Sequence, residues 1–286
     1  MASVYEIITD RICKKVEQVG HLPWQRPWRR NEEMPRNLER PDTPYKGINF
    51  WILLAEDRKS PYWVTLNYVK KCGGKIKTEE MGKGTYIVFW KFIEGKDGDG
   101  EPNGNRIPFL RYYKVWNVEQ TEGLEHKIPK NKTEEKPLDF NPLEECEKIL
   151  KEMPQPREMI QHGGNRASYN YVTDKIKMPD QTDFASVEEY YSTLFHELVH
   201  STGHENRVNR KGAFGVGFGR ENYSKEELVA EIGSCFLCST TGIENKTIDN
   251  SAAYLGSWLK RLRNDPKMLV LAASAAQKAT DYMLNN

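Results

Sequence analysis

The chain has 286 residues, with 42 Lys plus Arg against 41 Asp plus Glu, a formal net charge of +1. Hydrophobic residues make up 38%, charged residues 29%, and the mean hydropathy is −0.75. The longest apolar runs, Ile48–Ala55 and Met268–Ala276, fall far short of the ~20 residues needed to cross a bilayer, which excludes a membrane-spanning helix.

The length predicts about two domains and a sizeable core. The opening Met-Ala-Ser-Val-Tyr-Glu lacks the basic and apolar regions of a secretory leader. Cys13, Cys72, Cys146, Cys235 and Cys238 form an odd, scattered set without a disulfide-framework spacing, so a soluble, reducing, cytoplasmic setting is expected. The near-zero charge hides an asymmetry. Residues 1–120 hold 21 Lys/Arg against 16 Asp/Glu, a net of +5, and residues 121–286 hold 21 against 25, a net of −4. Six of the seven Trp lie in the basic half, and only Trp258 lies beyond it.

In chain order, the first segment reads as an amphipathic helix. Ser3 and Glu6 make a capping box, Val4, Ile8, Ile12, Val16 and Val19 recur at helical spacing, and Gly20 supplies a stop. His21–Arg30 is punctuated by proline and fits neither a helix nor a central strand. Tyr86–Ile93 and Phe109–Glu119 read as strands joined through the turn-dense loop Gly95–Asn105. Thr121–Pro142, polar and proline-rich, reads as an interdomain linker. Beyond it the pattern predicts a helix over Leu143–Met153, short strands at Arg157–His162 and Ala167–Val172, and helical segments over 186–202, 224–240 and 250–284. The expected fold class is α+β: a mixed α/β first domain over 1–120, the linker 121–142, and a mainly helical second domain over 143–286 with a small sheet.

The sharpest local signal is His196-Glu197-Leu198-Val199-His200. Two His at i and i+4 on one helix face can share a cation, and the Glu beside the first can take a proton from the attacking water. Ser186 with Glu189 caps this helix, and Gly203 lets the chain leave it. A catalytic site wants a third protein ligand. His204 lies eight residues after His196, but the metzincin pattern would need a His where Asn206 stands. On the next helix, Glu227 and Glu231 are four apart. The reading here takes Glu227 as ligand and Glu231 as the carboxylate supporting a ligand His, with the reverse as the alternative. Glu227 is also placed to cap its own helix with Ser224. His204, Tyr223 and Arg207 are candidates for substrate or transition-state charge. Cys235-Phe-Leu-Cys238, with no second pair, reads as buried helix packing.

In the basic half, aromatics interleave with cations: Trp24, Arg26, Trp28, Arg29, Arg30, Tyr45, Lys46, Trp63, Lys70, Lys71, Trp90, Tyr112 and Tyr113. Single-stranded nucleic acid needs both, cations for phosphates and exposed rings for unpaired bases. Alternating aromatics in strands also fill cores, and half or more of these rings are expected to be buried.

Together the two halves resemble the ArdC-type antirestriction proteins of conjugative plasmids and mobile elements. The resemblance is carried by Leu22-Pro-Trp24 with Pro27-Trp28, Pro44–Asn49, Trp63-Val-Thr65, Gly73-Gly74, Lys83-Gly84 leading to Val88-Phe-Trp90, Ala167-Ser-Tyr169, Asp174-Lys-Ile176 with Met178-Pro179, His196–His204 and Glu226–Glu231. It implies an N-terminal single-stranded DNA-binding domain and a C-terminal zincin-like metallopeptidase domain. The implied function is protection of incoming single-stranded DNA from restriction during conjugative transfer. Metal-ligand status passes to His196, His200 and Glu227, the general-base role to Glu197, and Asn49 joins the DNA-binding candidates. The implied cofactor is one divalent metal ion, zinc first and manganese second. The implied partners are single-stranded DNA and a protein substrate, with no membrane. The competing reading is an intracellular zinc metalloprotease whose front half selects protein substrates.

Overall fold

The computed structural model describes residues 3–23, 34–96, 102–129, 141–210, 220–243 and 252–285, without side-chain detail for 90–109, 142, 220–223 and 252–253. The segment holding Trp24, Arg26, Trp28, Arg29 and Arg30 lies outside them, as does the Trp90 side chain. The chain divides into two units, Met1–Ile12 with Glu33–Lys130 and Cys13–Glu32 with Asn131–Asn286. Helix α1 (Val4–Val19) starts at the expected box: Ser3 N–H donates to the Glu6 carboxylate at 2.6 Å and Glu6 N–H donates to Ser3 Oγ at 3.3 Å. Its stripe Ile8, Ile12 and Val16 is buried, whereas Val19 is exposed, and Gly20 leaves the helix at φ +75°.

The first unit is built on β1 (Arg36–Asn37), β2 (Arg40–Pro44), β3 (Tyr62–Thr65), β5 (Thr85–Lys96) and β6 (Pro102–Asn117), with the short pair β4 (Lys75–Ile76) and β7 (Thr121–Glu122). Among the described residues the main sheet runs β2-β1-β3-β6-β5, parallel only between β1 and β3. Strands β5 and β6 pair from Thr85↔Val115 out to Lys96↔Pro102. β6 meets β3 only over Val115–Asn117, so the rest of the hairpin is a two-stranded ribbon. Helices α2 (Ile48–Leu54) and α3 (Leu66–Lys71) complete the unit, α2 packing on β5. One core cluster joins Leu53, Trp63, Ile87 and Val115; another joins Tyr62, Val64, Val69, Ile76, Trp116 and Leu124. Gly84 is required beside the second, since a Cβ there would lie 2.7 Å from the Trp116 ring.

The first residues of the stretch expected as a linker belong to the first unit. Thr121–Glu122 pair with β4 and Leu124 is 1% exposed in the core. A polar stretch with one buried leucine reads as solvent-facing until its strand partner is known. The rest of that stretch, 130–140, lies outside the described residues.

The second unit contains α4 (Pro142–Glu152), β8 (Ile160–His162), β9 (Ser168–Asn170), β10 (Lys175–Met178), α5 (Val187–Thr202), α6 (Arg220–Thr241), α7 (Ala252–Asn264) and α8 (Pro266–Met283). The sheet order is β8-β10-β9, with β8 parallel and β9 antiparallel to β10. Helices α5, α6 and α8 pack on one another, and Leu194, Phe195, Leu198, Leu228, Ile232, Leu269 and Ala273 on them are buried. The helical segment expected over 250–284 is broken, because Asp265 caps α8 and Pro266 occupies its first turn. All five cysteines are free, and Cys235 and Cys238 are fully buried. No helix among the described residues is long and apolar enough to cross a membrane.

Candidate metal centre

Helix α5 presents the site. Ser186 Oγ accepts from Glu189 N–H at 3.1 Å and the Glu189 carboxylate accepts from Ala185 N–H at 3.0 Å, which fixes the helix start and so the phase of everything after it. Ten residues on, His196 and His200 lie one turn apart. Their rings meet edge to face at 4.7 Å between centroids, with the Nε2 atoms 3.1 Å apart.

Helix α6 supplies the third group. Glu227 Oε2 lies 3.5 Å from His196 Nε2, and Glu227 Oε1 lies 3.5 Å from His200 Nε2. Among the described residues, His196, His200 and Glu227 form a group whose ligand atoms all lie within 4.8 Å of one another. Donors about 2.0–2.2 Å from a shared tetrahedral ion would be about 3.4 Å apart. Two imidazoles and a carboxylate at this spacing fit a divalent ion, zinc or manganese.

Two features mark the close approach of the helices. Gly233 lies against Val199, where an added Cβ would be 2.8 Å from the valine side chain. Ser234 Oγ donates to the Ser192 carbonyl at 2.9 Å. Helix α6 begins at Arg220, so Ser224 lies inside it and Glu227 has no cap to close.

The carboxylate that lies against His200 is Glu226, and Glu231 points elsewhere. Glu226 Oε1 lies 3.3 Å from His200 Nδ1. Glu231, one turn beyond Glu227 on the same side of α6, instead accepts from the Tyr254 hydroxyl on α7. Glu226 is flagged in the sequence only by its adjacency to Glu227. Arg210, which holds Glu226, has no local signal.

Glu197 is buried at 8% exposure. His204 lies outside the metal group; its ring packs on Tyr171 at 4.8 Å and its Nδ1 accepts from Asn206 N–H at 3.3 Å. Arg207 is committed to structure, forking onto Asp174 and donating to the Tyr169 hydroxyl and the Ser201 carbonyl. It thereby ties the β9–β10 turn to the end of α5. The Tyr223 side chain lies outside the described residues.

Burial by itself would lower the His200 pKa, but the carboxylates of Glu226 and Glu227 outweigh it and push it up to about 9. Glu227 is held well below the ordinary carboxylate range: burial opposes this, and the two imidazoles override it. Metal ligation needs neutral His200, so binding at pH 7 is expected to release close to one proton. Apparent affinity should rise about tenfold per pH unit and level off above about 9; titration calorimetry in buffers of different ionisation enthalpy checks both. The metal-free protein should lose the stabilisation of protonated His200 as pH rises from about 6.5 through about 9.

In the first unit the candidate DNA residues separate. Trp63 is 1% exposed and belongs to the core, so it offers no ring face to a base. Asn49 uses its side-chain amide on the Val88 backbone, donating at 2.6 Å and accepting at 2.8 Å. Tyr45 and Tyr113 pack half-buried against the Trp63 cluster. Trp63 and Tyr113 stand on β3 and β6, Asn49 on α2 and Tyr45 just beyond β2, and all four side chains are engaged within the first unit. Lys46 and Lys70 are exposed, and Lys71 pairs with Glu39 at 3.5 Å. Tyr112 is 44% exposed, with the Tyr86 ring edge-on at 5.2 Å and the Lys114 ammonium 5.0 Å from the Tyr86 centroid. Lys114 belongs to the aromatic-basic run of the sequence, but Tyr86 was not among the candidates. Cross-strand pairing puts them beside Tyr112, and the ribbon register is not local in sequence.

A helix with two His and a Glu, joined by a carboxylate from the next helix, marks a zincin-like metallopeptidase domain. Residues 144–275 match the family described as zincin-like metallopeptidase. Residues 2–116 match the N-terminal domain of anti-restriction factor ArdC. Two crystal structures of the antirestriction ArdC protein from the R388 plasmid are similar over nearly the whole length. The metal-free one gives a TM-score of 0.74 at 34% identity, covering 99% of this chain and 97% of that one. The Mn(II)-bound one gives 0.76 at 32%, covering 99% and 98%. The chain belongs to the ArdC antirestriction family. A protein of Escherichia coli named DNA primase TraC is 34% identical over 297 residues, 98% of this chain but 20% of that protein, so the chain spans a fifth of that relative's length.

Proposed function

We propose that this chain is an antirestriction protein that binds incoming single-stranded DNA through its first unit and carries a metal-dependent peptidase centre in its second. The observation that carries this reading is the convergence of His196, His200 and Glu227 within a chain that parallels ArdC end to end. In this reading the three residues hold the ion and Glu197 is the general base. A bound divalent ion would supply Lewis-acid polarisation of a peptide carbonyl and of the attacking water. Glu197 takes the proton from that water and delivers it to the leaving amine. The burial of Glu197 favours this, since water competes weakly for its charge there.

For DNA, support comes from one face of the β5–β6 ribbon, where Tyr112 is 44% exposed beside the half-buried Tyr86 and Lys114. Register places Tyr86 opposite Lys114 and Val88 opposite Tyr112, so the two rings and the cation share one face. A base stacks on Tyr112 while Lys114 lies within reach of its phosphate. Affinity for fluorescent oligonucleotides is expected to fall steeply with salt and to favour single strands over duplex, because a duplex hides its base faces. Absence of binding at low salt, or equal affinity for duplex, overturns the DNA reading.

A further inference from the structure

We propose that the buried Arg210–Glu226 pair is a positioning device that aims His200 at the metal, an inference resting on the ligand reading above. Neither residue belongs to the ligand group. Glu226 lies against the far side of the His200 ring: its Oε1 is 3.3 Å from Nδ1, while Nε2 faces His196 and Glu227. With a carboxylate as acceptor, Nδ1 carries the proton and the Nε2 lone pair is left for the ion.

A carboxylate can orient an imidazole only if it is itself immobile. Arg210 provides this. Its Nε donates to Glu226 Oε2 at 3.1 Å and its Nη2 to Oε1, a two-pronged contact. The rest of the fork reaches the last turn of α5: Nη1 donates to Thr202 Oγ1, and Nη2 to the Val199 carbonyl at 2.8 Å. One guanidinium therefore ties the carboxylate behind His200 to the helix that bears His200. A cation among the C-terminal carbonyls of α5 also complements the helix dipole.

Burial makes this geometry consequential. The Arg210 and Glu226 side chains are 9% and 6% exposed, so water cannot replace either partner and removing one leaves the other uncompensated. An exposed ion pair in the same place would contribute little. The expectation is that Arg210 acts on the metal through Glu226, not as an independent staple.

The test is a double-mutant cycle on metal affinity, with full-length protein titrated with Zn(II) and with Mn(II). Glu226→Gln and Arg210→Ala should each weaken binding by about 10–100-fold. The double variant should be no weaker than the worse single. Arg210→Lys, which keeps the charge but loses the fork, should fall between. The Co(II)-loaded singles should share one altered visible spectrum, which a mere loss of stability would not produce. Should Arg210→Ala fail to fold, Arg210→Lys with Glu226→Gln completes the cycle. Wild-type affinity in the folded singles, or strictly additive losses, overturns the proposal. A His200→Ala control separates the two readings. If it retains metal, the ligand assignment fails. If it abolishes metal while the Arg210 and Glu226 variants bind normally, only the positioning role fails.

Discussion

Glu197→Gln is expected to leave one divalent ion per chain and lower peptide-bond cleavage by about 10²–10⁴-fold, the usual worth of a positioned general base. Gln has the shape of Glu but no basic oxygen, and Glu197 is not in the ligand group. His200→Ala should instead abolish metal binding itself. Elemental analysis of protein purified without chelator, paired with a peptidase assay on a cleavable target, distinguishes the two. An empty Glu197→Gln site would show that Glu197 holds the ion, contrary to the proposed roles. DNA protection that survives Glu197→Gln favours the antirestriction reading over an intracellular protease with a substrate-selecting front half, which would lose all function.

Trp63→Ala and Tyr112→Ala are expected to fail in opposite ways. Trp63 is fully buried with Leu53, Ile87 and Val115, and its truncation should destabilise the first unit by about 3–5 kcal/mol through lost burial and a residual cavity. Tyr112 is 44% exposed. Its truncation should leave unfolding almost unchanged and weaken single-strand affinity by about 1–3 kcal/mol, the worth of one stacked base. Denaturant unfolding and oligonucleotide titration on both variants read this out. A destabilised Tyr112→Ala with normal DNA binding would place that ring in the packing instead.

Much of the metal centre was legible in the order of residues. The cap at Ser186, the 3.6-residue period and the i, i+4 spacing of His196 and His200 act within a few residues of each other, so they operate before any tertiary contact forms. The same holds for the Ser3–Glu6 start of α1 and for the β5–β6 hairpin, whose strands are close in sequence. The interdomain boundary was less legible, because Leu124 becomes a core residue only once β7 finds β4.

The identity of the supporting carboxylate was a different kind of question. Glu226, Glu227 and Glu231 all lie on one helix, and no local rule ranks them. The start of α6 at Arg220, its close approach at Gly233 and the position of Arg210 together turn Glu227 toward the imidazoles and Glu226 behind His200, leaving Glu231 to Tyr254. The aromatics divided in the same way. Alternation assigned Trp63, Tyr112 and Tyr113 to strand faces, but α2 and the neighbouring strands decided which face met solvent. The sequence by itself determined the chemistry available and the helix that carries the metal motif, since periodicity and capping are short-range. Only the tertiary structure decided which acid joins the two imidazoles and which rings stay exposed, because those choices depend on surfaces contributed by residues distant in the chain.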